Sequence, residues 1–185
     1  MLIWFNHPSV ASIATTLPLQ PNEIGCNYFY QIRPTAHIVV YDPETRDLIT
    51  KDTKNTKMFN TTFWAKNGFK TAFFKEVITP TRLRPQDSGT LAIALALWHL
   101  SAKDITIIGC GWHKNDTSSL FDQYYTHKKG TSKVSNPKLK LLRNYQSEFN
   151  IKIRFVSDTI IDPAFDHLTI EDLSISKSAH ISYLK

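Results

Sequence analysis

At 185 residues, 42% of them apolar and 21% charged, the chain is the size of one globular domain able to bury a proper core. Two cysteines are too few for a disulfide scaffold, and no apolar run approaches the roughly 20 residues a membrane helix needs. The formal charge of +6 leans toward anionic partners such as nucleotide phosphates, acidic sugars or nucleic acid.

Met1-Leu2-Ile3-Trp4-Phe5 lacks the basic lead of a secretory signal, so a cytoplasmic protein is expected. Leu2 to Phe5 predicts a first strand, followed by the loop Asn6-His7-Pro8-Ser9. Pro8 fixes the turn, and Ser9 is the expected N-cap of a helix over Val10 to Thr16. A strand running into a helix start is an anion-binding geometry, although the usual glycine-rich fingerprint is absent. Beyond a linker at Pro18 to Pro21, Ile24 to Asn27 predicts a second strand. Tyr28 to Arg33 is a short helical or turn segment closed by Pro34. His37 to Asp42 is a strong third strand, stopped by Pro43, with a helix starting at Glu44. These strands end in Asn6, Asn27 and Asp42. In an α/β sheet such tips align along one edge and line a small-molecule cleft.

Met58 to Trp64 and Thr71 to Ile78 predict two more strands, joined too loosely around Asn67-Gly68 for a two-residue hairpin. The centre of the chain is Asp87 to Trp112. A Ser88-Gly89 turn opens a run of Leu, Ala, Ile and Trp, polar only at Thr90, His99 and Ser101, which predicts a helix buried on nearly every face. It feeds a β-branched strand, Ile105 to Ile108, so that Gly111, Trp112 and His113 should face a site. Cys26 and Cys110, each closing an apolar run, read as buried thiols with no zinc site.

Residues 114–135 hold few apolar side chains but include Phe121, Tyr124, Tyr125 and His127, the profile of a functional loop. Asn136 and Pro137 start a helix over Lys138 to Asn150, and Ile151 to Val156 is the last clear strand. Residues 1–158 thus read as a nucleotide-binding α/β domain, a single Rossmann-like unit with a mostly parallel sheet flanked by helices. Residues 159–185 read as a tail packing on it, with one short helix at Leu168 to Leu173. Lys128, Lys129, Lys133, Lys138, Lys140 and Arg143 cluster, either as a solvated face or as a nucleic-acid contact. The apolar tail offers a surface for self-association.

Four segments, in order, carry a resemblance. Phe5-Asn6-His7-Pro8-Ser9, Cys26-Asn27-Tyr28-Phe29, Asp87-Ser88-Gly89 with Ile108-Gly109-Cys110-Gly111, and His127-Lys128-Lys129-Gly130-Thr131 resemble motifs of the bacterial CMP-sialic-acid-dependent sialyltransferases. The wider group includes hydroxymethylpterin-pyrophosphokinase-like Rossmann proteins, many of them phage-encoded. The resemblance spans roughly residues 1–157. It departs from the pattern at Phe5 and His7, which stand where the family has glycines, and at Gly111, where it has an aspartate.

The resemblance implies metal-independent transfer of a sugar from a nucleotide donor, a CMP-sugar being favoured, to an acceptor. By position Asn6, Ser9 and Asn27 would hold the nucleotide, and the backbone of Ser88 and Gly89 would approach its sugar or phosphate. His127 would be the general base, and Tyr124 or Tyr125 would donate a hydrogen bond to the departing phosphate. An imidazole titrating near neutrality suits base duty. The chain holds no Asp-x-Asp motif of the kind metal-dependent glycosyltransferases use. Two other readings stay open: a non-catalytic nucleotide-binding or interaction protein that keeps the fold, and a Mg-dependent diphosphokinase.

Overall fold

The computed structural model describes residues 1–52, 60–66, 68, 72–80, 84–111, 136–157 and 159–173. The chain enters the fold through the middle of its sheet. β1 (Leu2–Trp4) has a parallel neighbour on each side: β2 (Ile24–Cys26), with Ile3 level with Ile24, and β6 (Asp104–Ile108), with Ile3 level with Ile107. β3 (His37–Val40), β4 (Thr62–Lys66) and β5 (Phe74–Val77) continue outward from β2, while β7 (Lys152–Val156) and β8 (Asp166–Leu168) continue from β6. The order β5-β4-β3-β2-β1-β6-β7-β8 is parallel at every pairing. This is the Rossmann-like α/β sheet that the sequence predicts. Its connections change direction between β1 and β6, which puts the switch point, and the crevice it opens, at the carboxyl ends of those two strands.

A parallel sheet has to be covered on both faces, and alternate side chains of one strand serve opposite faces. Ile3, Val39, Ile107 and Phe155 pack with α3 (Ser88–Trp98) and α4 (Asn136–Phe149), among them Leu91, Leu95, Leu142 and Tyr145. Trp4, Ile38, Val40 and Ile108 point the other way. They meet α1 (Ala11–Thr16), the short 3-10 segment Asn27–Gln31 and α2 (Pro43–Lys51). Every residue of α3 from Ser88 to Ala96 is buried, which explains a helix with no polar face. No helix among the described residues is long and apolar enough to cross a membrane. Cys26 and Cys110 are both buried as thiols.

Three local readings change. Ser9 does not cap α1, whose N-cap is Val10 with no side-chain hydrogen bond; a 3-10 turn, Pro8–Val10, precedes it, with Pro8 in its first position and His7 Nδ1 accepting from the Ser9 N–H. β4 and β5 run parallel, with Phe63 level with Phe74, in keeping with the expectation that no two-residue hairpin joins them. β4 also runs on to Lys66, past the predicted end at Trp64; Met58, Phe59 and Thr71 lie outside the described residues. Finally, Asp166–Leu168 adds β8 to a sheet whose last strand was expected at Val156. Three residues without an apolar alternation leave almost no periodic signal.

The segment leading into β2 is pinned by a buried ion pair. Glu23 and Arg33 have side chains only 1% and 3% exposed and meet at 2.7 Å. Glu23 also accepts from Trp4 Nε1 and the Gln20 N–H, and Arg33 donates to the carbonyls of Ala14, Leu17 and Pro18. Every polar atom of the pair is used, which is what a charge in the interior requires.

Candidate functional site

The crevice begins with two tight chain segments. Phe5 N–H donates to Ile108 O at 2.8 Å, holding the exit of β1 against the end of β6. Gly109 then turns at φ +79°, and a Cβ there would lie 2.2 Å from Val10 Cγ1 and 2.9 Å from Phe5 O. Both the backbone angle and the crowding demand glycine. Asn6 follows directly. Its Oδ1 is buried and has no hydrogen-bond partner among the described residues. A buried carbonyl oxygen left without a donor costs about 1–3 kcal/mol. Ser9 sits at the exposed side of this loop with its hydroxyl 2.9 Å from His7 Nδ1.

At the next tip, Asn27 adopts φ +54°, a left-handed conformation that asparagine tolerates better than most residues. Ser88, 6% exposed, joins this tip to the one beside it. Its hydroxyl donates to Asn27 Oδ1 at 2.7 Å and accepts from the Tyr41 N–H at 3.0 Å. One side chain at the start of α3 therefore ties the ends of β2 and β3 together. The structure thus brings Asn27 and Ser88 into contact, with Asn6 at the end of the adjoining strand, β1.

The start of α3 is closed by its own cap. Asp87 accepts from the Thr90 N–H at 2.8 Å, while Thr90 Oγ1 accepts from the Asp87 N–H at 3.0 Å, a reciprocal capping box. Lys138, from the start of α4, pairs with the other Asp87 oxygen at 2.6 Å. A carboxylate already faces this helix terminus, and Lys138 offsets its charge. Burial, with Asp87 adding to it, raises the pKa of the Cys26 thiol.

Gly89 is crowded from one side. A Cβ on it would fall 2.6 Å from Cζ of Phe5, whose ring occupies that space. Asp42, the third predicted tip, sits at the N-cap position of α2, ahead of Pro43. Trp112, Tyr124, Tyr125 and His127 lie outside the described residues, as do His113, Lys128, Lys129 and Lys133. Of the basic cluster's other members, Lys138 is paired with Asp87 and Arg143 with Asp162, while Lys140 is exposed. The sequence reading missed Asp87 and Thr90 as a cap, although Asp-x-x-Thr before an apolar run is a legible form of that signal. It also missed Tyr41, which enters through its backbone and therefore has no residue-type signature. Among the described residues no group of three His, Cys, Asp or Glu side chains could hold a metal ion.

An all-parallel, doubly wound sheet defines a Rossmann-like α/β protein, and polar groups gather past the carboxyl ends of β1, β2 and β3. No family profile matches the sequence, and no curated protein matches it by sequence. By structure the chain is similar to the sialyltransferase CST-II, solved in complex with a trisaccharide acceptor and CMP. The TM-score is 0.61 at 13% identity, over 90% of this chain and 84% of that one. At that identity the likeness is one of fold.

Proposed function

We propose that the chain is a glycosyltransferase that takes a nucleotide-activated sugar, with a CMP-sugar the favoured donor, and passes the sugar to an acceptor hydroxyl. The observation that carries this reading is Asn6, whose buried amide oxygen lacks a donor among the described residues at the switch point of a fold shared with a sialyltransferase. An exocyclic amine or a ribose hydroxyl of a nucleotide supplies such a donor.

In this reading Asn6, Ser9 and Asn27 contact the nucleotide, and the backbone of Ser88 and Gly89 faces its phosphate or sugar. Helix-opening N–H groups of this kind have no intrahelical acceptor. Trp112 is assigned to the nucleotide as well. His127 takes the proton of the acceptor hydroxyl as that oxygen bonds to the anomeric carbon. The bond from that carbon to the phosphate oxygen breaks, and the electron pair leaves on the phosphate. Tyr124 or Tyr125 donates a hydrogen bond to it, a stabilisation that grows with the developing charge.

The Phe5 ring beside Gly89 favours a second reading, a nucleotide-binding protein that has kept the fold and lost the chemistry. Turnover of a CMP-activated sialic acid, followed by CMP release, separates the two. Under the transferase reading the intact chain releases CMP, and His127→Ala slows release by about 100-fold or more with CMP affinity unchanged. CMP binding without release by the intact chain supports the second reading and rejects the first.

A further inference from the structure

A cluster of titratable groups lies away from the crevice, where the sheet edge formed by β4 and β5 meets the C-terminal end of α3. His37, Trp64 and Lys75 come from β3, β4 and β5, and His99 follows the last turn of α3. Trp64 is level with Val39 and with Lys75, and its indole packs on the α3 side of the sheet. The ring of His37 meets it edge-on at 6.1 Å between centroids, and that of His99 lies tilted against it at 5.2 Å. One indole is thus touched by two imidazoles. Lys75 Nζ reaches the same indole, 5.6 Å from its centroid.

Each imidazole works as an acceptor. His37 Nδ1 accepts from Trp64 Nε1 at 3.3 Å, and His99 Nε2 accepts from the Ile78 N–H at 3.1 Å. A ring nitrogen accepts only while it carries no proton. Both rings are therefore neutral in this arrangement, His37 with its proton on Nε2 and His99 with its proton on Nδ1. A further proton on either ring would set N–H against N–H. The surrounding elements offer such a charge little compensation. Across β3, β4, β5 and α3 the single carboxylate is that of Glu76, which accepts from the Gly68 N–H. The cations on these elements are Lys75 and Lys66, the latter over the Tyr41 ring. Asp87 caps the far end of α3 and pairs with Lys138. Burial, with Lys75 adding to it, already holds the pKa of the His37 imidazole down.

The Ile78 contact bears on how the edge is held. β5 is the last strand on its side of the sheet, and Ile78 leaves it with a side chain 62% exposed. From Ile78 the chain returns to Asp87, and α3 holds both ends of that return. His99 holds Ile78, while the Gln86 and Asp87 N–H groups donate to Thr90 Oγ1. His99 is exposed, so solvent protons reach it directly. We propose that His37, Trp64 and His99 form an acid-sensitive latch, which holds the β4–β5 edge to α3 at neutral pH and lets that edge open locally as the pH falls. The latch stands whether or not the crevice at Asn6 binds a nucleotide.

The experiment is hydrogen exchange of the full chain followed by NMR between about pH 7.5 and about pH 5, each rate divided by the intrinsic chemical rate at that pH. Ile107, in the middle of the sheet, is the reference amide. Protection of the Ile78 N–H and of the Trp64 indole N–H should fall about tenfold or more beyond any fall at Ile107. His99→Gln places a carbonyl oxygen that does not titrate near the position of Nε2, and should keep Ile78 in step with the reference. His99→Ala should lower Ile78 protection already at about pH 7.5. Nitrogen NMR shifts of the imidazoles in the intact chain need no variant: at about pH 7.5, His99 Nε2 and His37 Nδ1 should both lack a proton. The proposal is overturned if Ile78 and Trp64 lose no more protection than Ile107, if His99→Gln loses it as the intact chain does, or if either ring carries its proton on the accepting nitrogen.

Discussion

The ring of Phe5 and the Cα of Gly89 are packed so closely that a methyl group on Gly89 would lie 2.6 Å from Cζ and 2.8 Å from Cε2 of that ring. The contact joins the first strand of the chain to the start of the central helix. Phe5 is 6% exposed and forms part of the core on the α3 face, so the ring has little room to yield. Gly89→Ala should destabilise the protein by about 1–3 kcal/mol, as overpacking does in tight cores. Phe5→Ala costs about 3–5 kcal/mol by leaving a cavity. Together the two should cost clearly less than their sum, because the added methyl group then fills part of the space that the ring has left. Denaturant unfolding of the four proteins measures this; strict additivity would mean that the two sites do not share the space.

The Glu23–Arg33 pair makes a second prediction. Arg33→Met leaves a carboxylate in a site 1% exposed and should cost about 3–5 kcal/mol. Replacing both partners by apolar residues often restores stability elsewhere. Here it should not, because the carbonyls of Ala14, Leu17 and Pro18 would still lose their donor. Chemical denaturation of Arg33→Met and of Glu23→Leu with Arg33→Met decides the point. A double variant as stable as the parent would contradict it.

At the opposite end of the sheet, His37 Nδ1 accepts from Trp64 Nε1 at 3.3 Å. Burial, reinforced by Lys75, holds the pKa of this imidazole below its ordinary value. The unfolded chain therefore binds a proton that the folded chain refuses. The stability this group contributes is present above about pH 6.5 and is lost as the pH falls below it. The Tm should drop between about pH 7.5 and pH 5, and His37→Gln should flatten part of that drop. An unchanged slope in the variant would remove His37 from the account.

The sequence exposes much of this fold, but unevenly. The central helix is legible because an unbroken run of Ala, Leu and Ile has no face to turn to water. The polar strand tips are legible too, and Asn27 and Ser88 meet in a hydrogen bond. Strand order is not legible: nothing in Leu2 to Phe5 says that it lies between Ile24 and Ile105 to Ile108. The contact of Phe5 with Gly89 is equally hidden, since neither residue type signals a partner so far away in the chain. Lys66 escapes because the aromatic pattern places the end of β4 at Trp64, two residues short. A strand ended too early hides what its tip presents.

The account turns on Asn6. Its amide oxygen makes no hydrogen bond among the described residues, so Asn6→Ala should leave the unliganded protein at least as stable as before. The direct measurement is the thermal shift of the intact protein and of Asn6→Ala with CMP, with and without Mg²⁺. A ligand at about 100 times its Kd adds about 2.7 kcal/mol to a folded state that alone binds it. The account predicts a CMP shift that does not need Mg²⁺ and is lost in Asn6→Ala, whose own Tm has not fallen. No shift with CMP, or the same shift in both proteins, would contradict it.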